Sequence, residues 1–164
     1  MKSCIYCTPE WLDTCRQAYL ENPENQKNME KIAAKVCFRV KAEPEWGIDR
    51  DILFSAFVDK GALDRLNFIS EEEAKQAAEY ILTATPQEWK KILRKESKFV
   101  TDFMLGKIVL EQGSKVGVLS LAPHSNALID ALTPTPLQFP DEMTPEEFEQ
   151  FRSHLDTFRA SSKV

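Results

Sequence analysis

The chain has 164 residues, of which 43% are hydrophobic and 29% are charged, with only five glycines and nine prolines. This composition excludes a disordered or fibrous chain, and the length suits one domain that buries about two thirds of the surface exposed on unfolding. The net charge of −5, without a basic arm, gives no cationic footprint for phosphates, so we predict no nucleic-acid partner.

Three of the four cysteines, Cys4, Cys7 and Cys15, lie in the first fifteen residues. Cys4 and Cys7 form a C-x-x-C pair, which leaves open a zinc site or a thiol-dependent enzyme. No second pair and no nearby histidine completes a ligand set, so we predict no metal and no cofactor. Reduced thiols, together with the lack of a secretory leader, predict a cytoplasmic protein. We also expect no transmembrane segment, because no apolar run is long enough to span a bilayer.

Three segments share a helix-start signature, in which a threonine at the N-cap precedes a proline and an acidic residue. The threonines are Thr8, Thr85 and Thr144. They predict an N-terminal helix over residues 8–22 and a C-terminal covering helix over residues 144–160, besides one in the middle of the chain. The last helix has an aromatic stripe at helical spacing, which must cover other apolar surface.

Five segments between the first and last of these helices have the character of strands. Residues 36–41 alternate apolar with polar side chains, as in a strand that has one face in water. Residues 52–58 form an apolar run that ends at a turn signal. The predicted strands are residues 36–41, 52–58, 63–69, 80–84 and 107–111.

Short helices separate the later strands, and the resulting order is typical of an α+β protein. These helices are predicted at residues 70–77, 86–95, 99–105 and 115–132, the last of them broken at Pro123. Such mixed runs favour helices packed on one face of a mostly antiparallel sheet. Residues 133–143 are predicted to be an extended, proline-rich connector and not a domain boundary, so we predict a single domain over residues 1–164.

Several motifs occur in an order that resembles the sterol carrier protein type 2 family. They are the strand at residues 80–84, the helix around Trp89, the aromatic pair Phe99 and Phe103, and Gly106-Lys107-Ile108 followed by Gly113. The resemblance covers about residues 30–132. It implies a five-stranded, mostly antiparallel sheet with helices on one face, enclosing an apolar tunnel for sterols, fatty acids or fatty acyl groups.

The resemblance implies lipid binding without catalysis. The sequence has no nucleophile elbow, zinc-protease motif, phosphate-binding loop or dinucleotide fingerprint. We therefore predict a non-enzymatic carrier of a small-molecule lipid, a monomer or homodimer that contacts membranes transiently. Eukaryotic family members end in a tripeptide of the Ser-Lys-Leu type, whereas this sequence ends in Ser-Ser-Lys-Val, so we expect no peroxisomal targeting.

The predicted ligand-binding wall consists of large apolar side chains from most of the predicted elements. It comprises Phe38, Val40, Phe54, Phe68, Leu82, Trp89, Leu93, Phe103, Met104, Val118, Leu121 and Phe151. Lys107 or Arg94 could meet a carboxylate at the mouth. The same apolar face could instead dock a partner chain, which leaves a protein-interaction or dimerisation module as the alternative function.

The size of a lipid tunnel sets an energetic condition on this prediction. Pockets for such ligands span roughly 300 to 1,000 Å³. At about 24 cal/mol per Å³, even about 300 Å³ of dry void would cost roughly 7 kcal/mol, comparable with the whole stability of a domain. We therefore expect the tunnel to be filled, or to contract when no ligand is bound.

Overall fold

The computed structural model describes residues 3–164, and within this range the chain forms eight strands and eight α-helices. The strands are β1 (Cys4–Ile5), β2 (Ala33–Val40), β3 (Ile52–Asp59), β4 (Ala62–Arg65), β5 (Phe68–Ile69), β6 (Tyr80–Ala84), β7 (Val109–Gln112) and β8 (Leu137–Gln138). The helices are α1 (Pro9–Glu21), α2 (Pro23–Asn28), α3 (Glu71–Ala77), α4 (Pro86–Leu93), α5 (Phe99–Met104), α6 (Lys115–Leu121), α7 (Ser125–Leu132) and α8 (Pro145–Ser162). Short 3-10 turns lie at Pro44–Trp46, Ala122–His124 and Pro140–Glu142.

The main sheet follows the order β4-β3-β2-β6-β7, with β5 paired to β3 beside β4. The central pair β2–β6 is parallel, whereas the pairings β2–β3, β3–β4, β3–β5 and β6–β7 are antiparallel. The predicted α+β class with a mostly antiparallel sheet is therefore confirmed. The sixth strand, β5, arises because the predicted strand at residues 63–69 divides into two short pieces.

The helix starts follow the threonine signature. The hydroxyls of Thr8, Thr85 and Thr144 accept hydrogen bonds from backbone N–H groups three residues ahead, at 3.3, 3.1 and 3.2 Å. A proline occupies the first position of each helix, where its missing N–H costs nothing. Local chemistry therefore determines the residue at which each of α1, α4 and α8 begins.

The structure departs from the sequence prediction at both ends of the chain. No strand was expected before the first helix, yet β1 pairs in parallel with β8 inside the predicted connector, joining Cys4 to Leu137. These two-residue strands are too short to show an alternation. The prediction also missed α2, because its Pro-Glu-Asn-Gln-Lys-Asn sequence has no apolar period.

The sheet has two unlike faces, which the alternation along β2 separates. The inner face, marked by Val36 and Phe38, packs on most of the helices and forms the main core. The outer face, marked by Cys37 and Arg39, packs on α3 through a smaller cluster. Helices thus lie mainly on one face, as predicted, with α3 as the exception. Within residues 3–164, no helix has the length and hydropathy needed to cross a membrane.

Candidate functional site

A cavity of about 100 Å³ lies between the inner face of the sheet and the helices that cover it. Its floor comes from β2, β3 and β6, and its other walls come from α4, α5 and the segment from α6 to α7. Nearly the whole wall is carbon. The exceptions are Tyr6, Tyr80, His124 and Ser125.

The sheet register explains why space remains here. Ala34 of β2 lies opposite Val58 of β3, and Val36 lies opposite Ala56. These four side chains are short, so they leave volume that the helices above do not fill. One row further along, Phe38 lies opposite Phe54, and the two large rings end the open space.

Aromatic rings close that end of the cavity. Phe38 lies 5.2 Å from Phe54 and 5.5 Å from Trp89, between ring centroids. Trp11 lies 5.4 Å from Phe54 and 5.1 Å from Tyr6. Contacts at these distances add about 0.5–1.5 kcal/mol per pair beyond the area they bury, so this end is well packed.

The segment from α6 to α7 forms the roof of the cavity. The helix breaks at a 3-10 turn around Pro123, as predicted, and α7 packs on α1, α2 and α4. Gly117 of α6 lies directly on Tyr80, and a Cβ atom at this position would collide with the Tyr80 hydroxyl. The glycine therefore allows α6 to approach the sheet closely.

Of the twelve residues predicted to line a ligand site, the structure brings seven together around the cavity. They are Phe38, Phe54, Leu82, Trp89, Leu93, Val118 and Leu121. They come from β2, β3, β6, α4 and α6, which shows that the motif order placed the right elements against one another. Whether they bind a ligand stays a prediction.

The other five predicted residues lie outside the cavity wall. Val40 is fully buried on the inner face of β2, one row beyond Phe38. Phe68, Phe103 and Phe151 are buried in the surrounding core. Met104 is 56% exposed on the surface of α5, so it packs in no core at all. None of these side chains contributes to the wall.

Sequence reasoning missed the remaining fifteen wall residues, which include small side chains of the sheet and large side chains from α4, α5 and α7. They are Tyr6, Met29, Ile32, Ala34, Val36, Ala56, Val58, Tyr80, Ile92, Phe99, His124, Ser125, Leu128, Ile129 and Leu132. Extending the alternation of β2 back by two residues to Ala34, and following the alternation within residues 52–58, would have found the floor. The prediction favoured large side chains, whereas a cavity lies where side chains are small.

No lysine or arginine lies in the wall, as far as residues 3–164 are concerned. Arg94, expected near the mouth, instead pairs with Glu142 at 2.8 Å beside the connector. Lys107 is exposed and lies outside the wall. The cavity therefore offers no fixed cation to a carboxylate.

Three of the four cysteines are poorly suited to nucleophilic chemistry. All four thiols are free, and burial raises the pKa of Cys7, Cys15 and Cys37 to about 12. Such thiols are almost wholly protonated at neutral pH and are poor nucleophiles. Among the residues described, no group of three or more histidine, cysteine or acidic side chains is arranged to hold a metal ion.

A buried carboxyl pair lies outside the cavity, where α4 meets α5. Glu88 and Asp102 are both buried, and burial, followed by the hydrogen bond with Asp102 and its charge, raises the pKa of Glu88 to about 7. A carboxyl group with this pKa could act in proton transfer. Neither side chain lines the cavity, so the pair has no substrate site beside it there.

No protein-family model and no curated protein sequence matches this chain. Solved structures do match. A conserved hypothetical protein from Thermus thermophilus, described as a possible sterol carrier protein, has a TM-score of 0.69 at 15% identity, over 84% of this chain and 94% of its own. Sterol carrier protein 2 in a crystal structure has a TM-score of 0.60 at 18% identity, over 76% of this chain and 92% of its own.

This chain has the sterol carrier protein fold. The apo form of sterol carrier protein 2 from Yarrowia lipolytica agrees, with a TM-score of 0.53 at 15% identity, over 74% of this chain and 89% of its own. The resemblance seen in the sequence is thus confirmed as a likeness of fold. Sequence identities this low show a shared fold alone, so the support for a function comes from the cavity.

Proposed function

We propose that this protein binds a lipid-like ligand in the cavity beneath α6 and α7 and carries it without catalysis. The observation that supports this most is the apolar cavity on the inner face of a sheet whose fold is that of sterol carrier proteins. The wall offers hydrocarbon contact on all sides and has no fixed positive charge among the residues described. These properties favour an apolar ligand.

The cavity is too small for a long acyl chain as it stands. Its volume of about 100 Å³ is below the roughly 300 Å³ at which ligand pockets begin. A dry void of this size costs about 2 kcal/mol, which a domain can tolerate. We therefore propose that this cavity is the contracted form of a larger lipid site.

Expansion needs displacement of the roof. A second void of about 10 Å³ lies beside the cavity and reaches Cys15 and Tyr19. The two voids share wall residues, among them Met29 and Leu128, so a change at these side chains would join them. Met29 is unbranched and adapts to different shapes. The break at Pro123 gives the roof a point at which to bend.

Hydrocarbon burial is large enough to drive this expansion. A chain of about 16 carbons gains roughly 13 kcal/mol at about 0.8 kcal/mol per CH₂ group, before ordering costs. Opening the roof and ordering the chain consume much of this gain. We expect a net dissociation constant in the micromolar range.

We further propose that α5 docks transiently on an anionic membrane surface. Val100, Met104 and Leu105 are exposed apolar side chains at this helix, and Lys98 and Lys107 flank it. The positive charge here contrasts with the net charge of −5 of the whole chain. Since Phe99 of the same helix lines the cavity, docking would place the cavity beside the bilayer. The four free thiols suit a reducing compartment such as the cytoplasm.

Titration with a fluorescent fatty acid and with its methyl ester tests the binding function, together with native mass spectrometry of the purified protein. We expect saturable binding of at least one probe, and release of the probe by an unlabelled lipid. If neither probe binds and no lipid co-purifies, the carrier function is wrong.

Docking of a second copy on the exposed apolar surface of α5 is an alternative to membrane contact there, and a double substitution to glutamate distinguishes the two. Met104→Glu combined with Leu105→Glu changes only exposed side chains. If these residues contact membranes, the variant loses sedimentation with anionic vesicles but keeps probe binding in solution. If they dock a second copy, light scattering shows a dimer in the wild type and a monomer in the variant. Leu20→Glu, at an equally exposed site on α1, is the control.

A further inference from the structure

Tyr6 lies at a fully buried position in the wall of the cavity. Its side chain is 0% exposed and lies between Trp11 and Phe139, at 5.1 and 5.0 Å between ring centroids. Its backbone N–H donates a hydrogen bond of 3.0 Å to the carbonyl of Gln138, which extends the β1–β8 pairing. The ring is therefore held by packing and by backbone contacts before any ligand arrives.

The hydroxyl group of Tyr6 is buried and has no hydrogen-bond partner within residues 3–164. The two tryptophans beside the cavity differ, because Trp11 donates to the carbonyl of Leu132 at 2.9 Å and Trp89 donates to that of Arg39 at 3.0 Å. A buried polar group without a partner destabilises a fold, so such groups are rare and call for an explanation. A hydrogen-bond acceptor on a bound ligand would satisfy the Tyr6 hydroxyl.

The electrostatic surroundings decide what that partner can be. Burial raises the pKa of Tyr6 well above its ordinary value, so the phenol stays a neutral donor at physiological pH. No lysine or arginine in the described chain lines the cavity. A carboxylate placed there would lose its hydration without gaining a counter-charge, which is very unfavourable. An uncharged oxygen accepts the hydrogen bond at far lower cost.

The exposure of the wall residues indicates how the ligand lies. Tyr80, Phe99, Leu121 and His124 are half-buried, so they mark the side on which the cavity approaches solvent. Tyr6 is fully buried and belongs to the aromatic end of the cavity wall. A ligand that reaches the phenol therefore enters with its polar end first.

We infer that Tyr6 is the polar anchor of the cavity, and that the ligand buries an uncharged oxygen, such as that of an alcohol, ester or ketone, against its hydroxyl while its hydrocarbon extends towards α6 and α7. This inference rests on the proposed function, which it narrows from lipids in general to neutral lipids bound head-first. It excludes a free fatty acid whose ionised carboxylate lies at the closed end.

Three probes of equal chain length test the anchor: 1-decanol, decane and decanoate. Binding is followed by the change in intrinsic tryptophan fluorescence, since Trp89 lines the cavity. The wild type should bind 1-decanol more tightly than decane or decanoate. Tyr6→Phe should weaken binding of 1-decanol about fivefold, as expected for one neutral hydrogen bond, and leave decane unchanged.

Tyr80→Phe is the matched control, because it removes a hydroxyl from the half-buried side of the same wall. It should not change the preference for 1-decanol over decane. Tyr6→Phe should keep or raise the melting temperature, since it removes an unsatisfied donor, and this confirms that the variant folds.

The contrary outcomes distinguish failure of the Tyr6 anchor from failure of the carrier function. If 1-decanol binds the wild type and Tyr6→Phe equally well, or if the variant loses both probes equally, the anchor is wrong while carrier function stands. Tighter binding of decanoate than of 1-decanol also overturns the anchor. If none of the three probes binds the wild type, the carrier function falls and the anchor falls with it.

Discussion

The two faces of the main sheet are packed differently: the outer face is filled, and the inner face contains a void. On the outer face, Arg39 is buried and donates hydrogen bonds of 2.7 Å to Glu71 and to Glu111, while Ala74 of α3 packs into the cluster beside it. On the inner face, the short side chains of Ala34 and Ala56 leave a void under the roof. One face is filled and internally paired, and the other is left open.

This difference predicts that the outer face contributes mainly to stability and the inner face mainly to binding. The filled outer face stabilises the sheet from the side opposite the proposed binding site, so the inner face can contain a void that costs about 2 kcal/mol. We therefore expect substitutions on the outer face to change mainly the free energy of unfolding. Substitutions on the inner face should change mainly binding.

The largest effect is expected from Arg39→Ala. The change leaves Glu71, Glu111 and Asp51 without their shared cation, and we expect a loss of about 3 kcal/mol in the free energy of unfolding. Lys75→Ala is the control, because Lys75 contacts the same Glu71 from an exposed position, where a pair is worth less than about 1 kcal/mol. Urea unfolding of both variants measures these losses of unfolding free energy. Equal losses would show that the burial of Arg39 does not strengthen its ion pairs.

A pair of alanine-to-leucine variants compares the faces directly. Ala74→Leu adds three carbons to the filled outer cluster and should destabilise the protein by about 2 kcal/mol through overpacking. Ala56→Leu adds the same carbons to the void, so its stability should stay within about 1 kcal/mol of the wild type while probe affinity falls at least tenfold. A destabilised Ala56→Leu that still binds the probe would contradict the assignment of the void as the binding site.

The smallest effect concerns the carboxyl pair beneath α4. The folded-state pKa of Glu88, about 7, lies above its ordinary value of 4.5, so the folded protein holds this proton more tightly than the unfolded chain. Its stabilising contribution is complete below pH 4.5 and is lost as the pH rises through 7. Glu88→Gln cannot titrate, so it should remove the decline in the unfolding free energy that the wild type shows between pH 5 and pH 8.

Thermal unfolding across that pH range measures the decline. Glu96→Gln, at an exposed glutamate near the end of α4, is the control and should keep the wild-type slope. An unchanged slope in Glu88→Gln would mean that the group titrates at its ordinary pKa. The experiment also shows whether the stability of the region around α4, which carries Trp89 and Leu93 of the cavity wall, depends on pH.

The sequence predicted the elements well where their chemistry is local. Threonine-proline starts located α1, α4 and α8, and the alternation in β2 distinguished its two faces. The outer face was expected to be wet, however, and it is instead covered by α3. That contact depends on the crossover from β5 to β6, which no local pattern shows.

Only part of the cavity wall could be predicted from the sequence, for a physical reason. Trp89 and Leu82 were found because they are large and apolar, whereas Ala34 and Ala56 form the floor because they are small. A void is created by the register of β2 against β3 and by the position of the roof, and neither is visible in a single segment. Tyr6 lies outside the region that resembles the family, and it reaches the cavity only through the β1–β8 pairing.

A crystal structure of the protein with 1-decanol bound tests the central claim most directly. We predict continuous elongated density between the inner face of the sheet and the roof, with α6 and α7 displaced outwards and the alcohol oxygen near the Tyr6 hydroxyl. Density confined to the protein surface, with the cavity and the roof unchanged, would show that the inner face is simply an imperfect core.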